Sequence, residues 1–175
     1  MPIRALLASC LLAALLTGCT GIPEGVQPVE PFRIDAYLGR WYEIARLDHS
    51  FEEGLSQVTA DYSLQDDGSI RVVNRGFNDQ TGEWEEAVGK AYPVDDPTRG
   101  HLKVSFFGPF YASYVIFELG ENYDYAYVSG PDKDYLWLLA RSSQVTPERL
   151  NDFRQQAQAA GFNLQELLVV EHPEN

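Results

Sequence analysis

Cations are scarce in this chain. Its 175 residues carry 13 Lys and Arg against 26 Asp and Glu, a formal net charge of −13 at neutral pH. That balance excludes a nucleic-acid partner, because phosphate contacts need Lys and Arg to replace counterions. It equally excludes electrostatic docking on anionic lipid head groups. Cysteine is scarcer, with only Cys10 and Cys19. Histidine occurs three times, as His49, His101 and His172, without the close spacing of a zinc site, so all three read as solvated surface residues and no metal is expected. There is no Gly-x-Ser-x-Gly elbow and no glycine-rich phosphate loop. Asp66-Asp67 and Asp95-Asp96 look like paired carboxylates, but both lie in turns, where Asp is favoured for local hydrogen bonds. The residues therefore suggest neither an enzyme nor a cofactor.

No apolar run is long enough to cross a bilayer. The stretch Ala5 to Leu16 would cover about 18 Å as a helix, against a hydrocarbon core of about 30 Å. With Arg4 ahead of it, it reads as a signal peptide. Its end, Leu16-Thr17-Gly18-Cys19, resembles the lipobox of bacterial lipoproteins, in which the chain is cut before the cysteine and that residue is acylated. The resemblance implies that Cys19 anchors the chain to a membrane; Thr20 after it, rather than Asp, implies the outer membrane. Cys19 is then the only thiol left and no internal disulfide is possible, so stability rests on the core. The expected division is 1–18 signal peptide, 19–31 acylated terminus and proline-containing tether reaching about 30 Å, and 32–175 one folded domain.

What the chain does have is apolar and aromatic surface: 45% hydrophobic residues, with ten Tyr, nine Phe and three Trp. Aromatics fit the pleated surface of strands. After a short turn or helical piece at Phe32–Leu38, Tyr42-Glu43-Ile44-Ala45-Arg46 alternates as a strand. Asp48 to Ser56 is a polar loop. Val58, Ala60, Tyr62 and Leu64 then alternate with polar residues, and Asp67-Gly68 signals a hairpin. Further strands run through Ile70–Arg75, Trp84–Tyr92, Leu102–Phe106, Tyr114–Leu119, Tyr123–Ser129 and Tyr135–Ala140, separated by turns rich in Gly, Pro, Asn and Asp. About eight strands on short turns suggest an all-β, up-and-down antiparallel barrel; a two-sheet sandwich is the alternative. The period then changes. Thr146-Pro147-Glu148 is a helix start, Leu150, Phe153, Ala157 and Ala160 form one narrow stripe, and Gly161 is a suitable end. Gln165 to Val170 is a last short strand.

Two features tie the ends of this series together. Gly39-Arg40-Trp41 opens the first strand and Arg141 closes the last long one. In a sheet closed on itself those strands are neighbours, so the indole and the guanidinium can stack as a clasp. Gly39-Arg40-Trp41-Tyr42-Glu43-Ile44-Ala45-Arg46, Val128 to Tyr135, and Leu139-Ala140-Arg141 lie where the three conserved blocks of the lipocalin family fall. The chain resembles that family over nearly all of its length beyond the leader, and its bacterial outer-membrane, apolipoprotein D-like branch most. The resemblance implies an eight-stranded barrel whose cavity carries or stores a fatty acid, such as palmitate, or a lysophospholipid, in an envelope-maintenance role. It places pocket positions at Tyr62, Asn74, Phe106, Tyr114, Trp137 and Leu139. At Gly76 the chain departs from the apolipoprotein D pattern, which has an acid there.

The alternation itself adds Val72, Val104 and Ile116 to the inward wall. Ala87, Gly89 and Ala91 follow one another on one face, and small residues opposite large aromatics favour an apolar slot over a solid core. Asn74 is the one polar residue of its face and is placed to orient a ligand head. Two other readings stay open: a lipid-converting enzyme on the same fold, and a barrel serving only as a scaffold for interaction loops. The open end is expected to be an acidic rim of Asp48, Glu52, Glu53, Asp79, Glu83, Asp132 and Asp134, with Arg75 and Lys133 the chief cations. Phe106-Phe107-Gly108-Pro109-Phe110-Tyr111 is apolar for a loop, which leaves open a gate, a bilayer contact or a homodimer surface.

Overall fold

The computed structural model describes residues 20–173; the leader 1–18 and Cys19 fall outside them. The described chain forms a short helix α1 (Ile34–Tyr37) and eight strands: β1 (Gly39–Leu47), β2 (Leu55–Leu64), β3 (Ile70–Asn78), β4 (Glu83–Pro93), β5 (His101–Phe107), β6 (Phe110–Leu119), β7 (Tyr125–Ser129) and β8 (Leu136–Ala140). A helix α2 (Pro147–Ala159) and a three-residue strand β9 (Leu167–Val169) follow. Strands β2 to β8 pair antiparallel in sequence order, and β1 pairs with both β2 and β8, which closes the barrel and excludes the sandwich. The strand β9 lies outside, bonded to β1 through Ala45↔Val169 and Leu47↔Leu167.

Alternation decides what fills the inside. Residues opposite one another on paired strands share a face, so the pairings Tyr62↔Val72, Val72↔Gly89, Ala91↔Val104 and Ile116↔Val128 trace one inward wall. The inward set gathers with Phe32, Tyr37, Trp41, Ile70 and Leu102 into one buried cluster. The outward set of β1, β6, β7 and β8 makes a second cluster, in which Ile44, Tyr127 and Leu138 meet Phe153 and Ala157 of α2. Thr146 caps that helix, its side chain accepting from the Arg149 N–H at 3.3 Å. The Tyr127 hydroxyl fixes it to the wall by donating to Asp152 Oδ2 at 2.6 Å.

Two expectations need correction. The segment expected as a tether is docked on the barrel from Gly25 onward. Gly25 packs against the carbonyl of Ala160 at the end of α2, Val26 is buried with Phe153 and Phe162, the Val29 N–H donates to Ile116 O at 2.9 Å, and the Phe32 N–H reaches Thr98 O. Proline and glycine composition suggested a spacer, but Val26 and Val29 have wall positions to fill. The strand β6 also begins at Phe110 rather than Tyr114, because pairing with β5 persists to Phe107↔Phe110 at the turn.

Arg141, the residue after β8, holds the floor together. Its Cζ lies 3.9 Å from the Trp41 ring centroid. Its guanidinium donates to the carbonyls of Arg40 (2.8 Å), Ala36 (3.0 Å), Tyr37 and Tyr123 (3.2 Å each). The Trp41 indole N–H donates to Tyr37 O at 2.8 Å. Gly39 sits at φ +94°, and a Cβ there would stand 3.5 Å from Arg141 Nη1, so glycine is needed for its left-handed backbone. Removing Arg141 strands several carbonyls as well as the cation–π contact. Arg141→Ala is expected to cost about 2–4 kcal/mol of stability, and its double-mutant cycle with Trp41→Phe to leave a coupling of about 1 kcal/mol. Urea midpoints of the four proteins check this; strictly additive effects would refute the contact.

Candidate ligand chamber and its lid

The barrel interior changes character from floor to mouth. At the floor the hydroxyls of Tyr37 and Tyr62 each bond that of Tyr114, at 2.7 and 2.9 Å. Burial pushes all three phenols above their ordinary range, so they stay neutral and satisfy one another. Tyr62 and Tyr114, two of the expected ligand positions, therefore form the upper surface of a self-satisfied polar plug. Val72 lies opposite Tyr62, Ala91 opposite Ile70, and Ile116 one inward step from Tyr114 toward the floor; these and Leu139 are buried in the interior cluster, with Val104, Phe106 and Trp137 partly buried against it.

The small residues of β4 share a face but not an environment. Ala91 is buried at 1% exposure. At Gly89 a Cβ would stand 2.8 Å from the Phe106 ring, so that ring occupies the space glycine leaves. Ala87 is exposed, because β4 outruns β5: their pairing starts only at Lys90↔Ser105, and Glu83 to Val88 are exposed residues. These three small positions therefore do not form one continuous groove along the strand. Asn74 pairs across to Ala60 and Ala87, and its buried Oδ1 has no hydrogen-bond partner in the protein. Such an acceptor costs free energy unless something fills its need.

The opposite side of the mouth carries groups that sequence reasoning missed. The strand β1 turns Glu43 inward, and Arg46 follows after an irregularity between Glu43 and Ala45. Arg46 is fully buried. It donates to Glu43 Oε1 (2.9 Å), Asp48 Oδ1 (2.8 Å), and the carbonyls of Glu52 (2.7 Å) and Leu55 (3.2 Å). These bonds draw the β1–β2 loop (residues 48–54) inward. Glu52, expected on the acidic rim, is only 6% exposed and accepts from the Trp137 indole at 3.1 Å.

His49 is not a solvated residue. Its ring stacks on Phe51 at 4.2 Å and meets Tyr135 and Trp137 at 4.9 and 5.2 Å, with neither ring nitrogen hydrogen-bonded. His101 and His172 are also engaged, with Ser113 Oγ and with the Glu43 carbonyl, both at 2.7 Å. A loop position says nothing about which way the loop folds. The signals available were Phe51 and Leu55, apolar residues in a polar loop, and the two-residue step that puts Glu43 on the face of Trp41.

Burial and mutual repulsion raise the Glu43 carboxyl well above its usual range, against the pull of Arg46. Burial raises Glu52 as well. Burial, then the Arg46 charge, depresses His49 to about 4. The lid is accordingly held by the bonds of one buried cation, by the Trp137 indole on Glu52 and by the aromatic packing of His49.

The arrangement is a self-bonded polar floor, an apolar interior and a partly covered mouth in a closed antiparallel barrel. Comparison with known proteins gives the family. A lipocalin-like domain matches residues 32–172. The chain belongs to the lipocalin family. It is 56% identical over 162 residues to the outer membrane lipoprotein Blc of Vibrio cholerae, covering 92% of this chain and 95% of that one. It is 45% identical to the Escherichia coli K12 protein of the same name over 99% of both chains, and 32% identical to bovine apolipoprotein D over 79% of this chain and 81% of the other. Among solved structures, insecticyanin from Manduca sexta aligns with TM-score 0.69 at 19% identity over 88% of both chains, a likeness of fold.

The pH dependence of stability follows from the lid. A carboxyl raised in the folded state is ionised first in the unfolded chain, so stability falls as pH rises from about 4.5 toward the folded value. An imidazole depressed to about 4 protonates first in the unfolded chain, so stability also falls as pH drops from about 6.5 toward 4. Between about pH 4.5 and 6.5 the two slopes oppose each other, so urea midpoints should be nearly level there and decline on the alkaline and acid sides of that interval. Glu43→Gln should flatten the alkaline limb and His49→Phe the acid limb. A wild-type profile with no alkaline decline between pH 6 and 9 would show that Glu43 carries no trapped proton.

Proposed function

We propose that this protein is a bacterial outer-membrane lipoprotein, anchored through acylated Cys19, that holds one lipid in its barrel for storage or transport in maintenance of the envelope. The relatives named outer membrane lipoprotein support the location and the anchor. The apolar barrel interior, with the unpartnered Asn74 oxygen on one wall, supports a ligand with a long apolar body and a polar head.

The head is the more specific inference, and the Glu43–Glu52 pair carries it. A free carboxylate brought to this mouth meets two buried acids, both held above their usual range by burial, and an Arg46 already shared among Glu43, Asp48 and two carbonyls. Bringing a third carboxylate close adds like-charge repulsion in a poorly screened setting. A zwitterionic lysophospholipid presents an ammonium and a longer reach to water. The reading is therefore lysophospholipid before fatty acid of the same chain length.

Trp137 reports on this site because its indole N–H contacts Glu52. Fluorescence titrations should find the zwitterionic lysophospholipid bound about tenfold more tightly than palmitate, or about 1.4 kcal/mol. The double variant Glu43→Gln, Glu52→Gln should close most of that gap. Added salt should narrow it to a smaller degree, because the buried pair is weakly screened. Palmitate binding the wild type more tightly, with weakening by salt, would mean that a cation governs the head site. Lipid co-purifying unchanged would favour carriage over conversion. For the anchor, Cys19→Ser should release the protein from the membrane fraction; a variant still bound after a high-salt wash would refute acylation at that residue.

A further inference from the structure

Neighbouring strands part at two places in the barrel wall. The strand β4 leaves β5 above Lys90↔Ser105, and β1 leaves β2 above Tyr42↔Thr59. The second parting is filled by the segment that follows β9. The edge of β1 passes to β9 through Ala45↔Val169 and Leu47↔Leu167, while β2 slips out of step with β3 between Ser56 and Thr59. Gln57 sits in that slip with a left-handed backbone, φ +53°, and its N–H donates to Glu171 O at 2.8 Å. On the other side the Val170 N–H donates to Ile44 O at 2.9 Å. The His172 ring meets the Glu43 carbonyl through Nε2 at 2.7 Å and stands edge-on to Tyr42, centroids 5.5 Å apart. Val170 to His172 therefore touch β1 and β2 at once, in the place a strand would take.

The opening that this segment fills has a frame of its own. Below it runs the ladder from Gly39↔Tyr62 to Tyr42↔Thr59. Above it Arg46 spans the same gap from inside, donating to the carbonyls of Glu52 and Leu55. Behind it lies the chamber: Leu55 and Val58 pack where a Gly76 Cβ would stand, and the buried Glu43 carboxyl is held by Arg46. Taking one strand out of a sheet leaves a space about 4.8 Å wide, close to the thickness of a single extended acyl chain.

Two ways into the chamber differ in what each must break. Lifting the β1–β2 loop strips a fully buried arginine of Glu43 and two carbonyls and takes the Trp137 indole off Glu52. A buried charge deprived of its partners is strongly unfavourable. Withdrawing Val170 to His172 gives up bonds to single backbone groups of Ile44, Gln57 and Glu43, which water can replace. Of the three side chains Val170 alone is buried. Segments with few buried apolar contacts and exposed backbone bonds are the ones that open locally at low free energy.

We propose that Val170–His172 are a removable plug in the barrel wall, and that an acyl chain enters and leaves the chamber sideways, between β1 and β2, when the plug withdraws. The proposal rests on the reading of the chamber as a lipid site. A plug that is closed in both the empty and the loaded protein sets the two rates together and leaves the affinity alone. A residue that only shapes the bound state acts mostly on dissociation.

The test follows Trp137 fluorescence by stopped flow, with the full acylated chain in phosphatidylcholine nanodiscs and 1-lauroyl lysophosphatidylcholine as the probe. His172→Ala cuts the tie to the Glu43 carbonyl and keeps the rest of the plug; deletion of residues 170–175 removes the plug. Both should take up and release the probe faster, the deletion by roughly tenfold in each direction, with Kd unchanged within about two-fold. The pair Gln57→Cys, Glu171→Cys puts a thiol on each residue of the tie to β2, and acylated Cys19 offers no competing thiol. Its oxidised form should exchange the probe several-fold more slowly than wild type, and its reduced form at the wild-type rate. Should the deletion fail to fold, His172→Ala and the cysteine pair carry the comparison. Faster release with unchanged uptake and a weaker Kd would make the segment part of the binding site. Equal rates in the wild-type, loosened and oxidised proteins would mean that the wall stays shut. Either result overturns the plug with lipid binding intact, whereas a wild type that binds none of the probe overturns the lipid reading and the plug with it.

Discussion

A strand has two edges, and β1 has three strands to pair with. Closing the barrel requires β2 on one side and β8 on the other, while β9 must also be seated. The conflict is resolved by dividing β1 along its length. Gly39 to Tyr42 bond β2, Tyr42 to Arg46 bond β8, and Ala45 to Leu47 leave β2 for β9. The irregularity between Glu43 and Ala45 is where the division falls, as bulges commonly do at barrel rims. Beyond it β1 and β2 part, and the backbone carbonyls left between them are the ones Arg46 collects. The buried arginine is thus a consequence of closure, and the buried acids are a consequence of the arginine. The lid and its buried histidine both descend from one strand having too many neighbours.

The two ends of the barrel solve opposite problems with similar means. At the floor Arg141 spends its charge on backbone carbonyls and a ring, with no carboxylate near, and the tyrosine hydroxyls close on one another. That end is saturated. At the mouth Arg46 is shared with acids that titrate, and Asn74 and His49 keep polar atoms without partners. Burying polar groups unsatisfied is unfavourable, so that end is the less settled half of the molecule. A binding protein needs this asymmetry, with a rigid base and an opening whose needs a guest can meet.

The barrel was legible because a half-buried strand must alternate and turns need Gly, Pro, Asn or Asp. The terminal helix was legible from Thr146-Pro147 and its stripe. Alternation gives a face but not a height, which is why Ala87 and Ala91 look equivalent in sequence and differ in burial. It also fails across a bulge: Glu43 could be placed inward from Trp41 by counting in twos, whereas Arg46 could not, since the count slips between them. Loops give least, because polar composition does not distinguish a loop in water from one drawn in by an arginine. Residues 20–31 misled for the related reason that proline and glycine describe backbone stiffness and not docking.

The unequal hairpins have one more consequence. Where β4 rises past the end of β5, its free edge offers unpaired backbone groups, the kind of edge on which a second chain can add a strand. The residues along it include Glu83, Glu85 and Glu86, all exposed. Two copies approaching edge to edge would bring both sets of glutamates face to face before any ladder hydrogen bond could form. The same lowered wall that widens the mouth is therefore protected from polymerising by the acidity of its own lip.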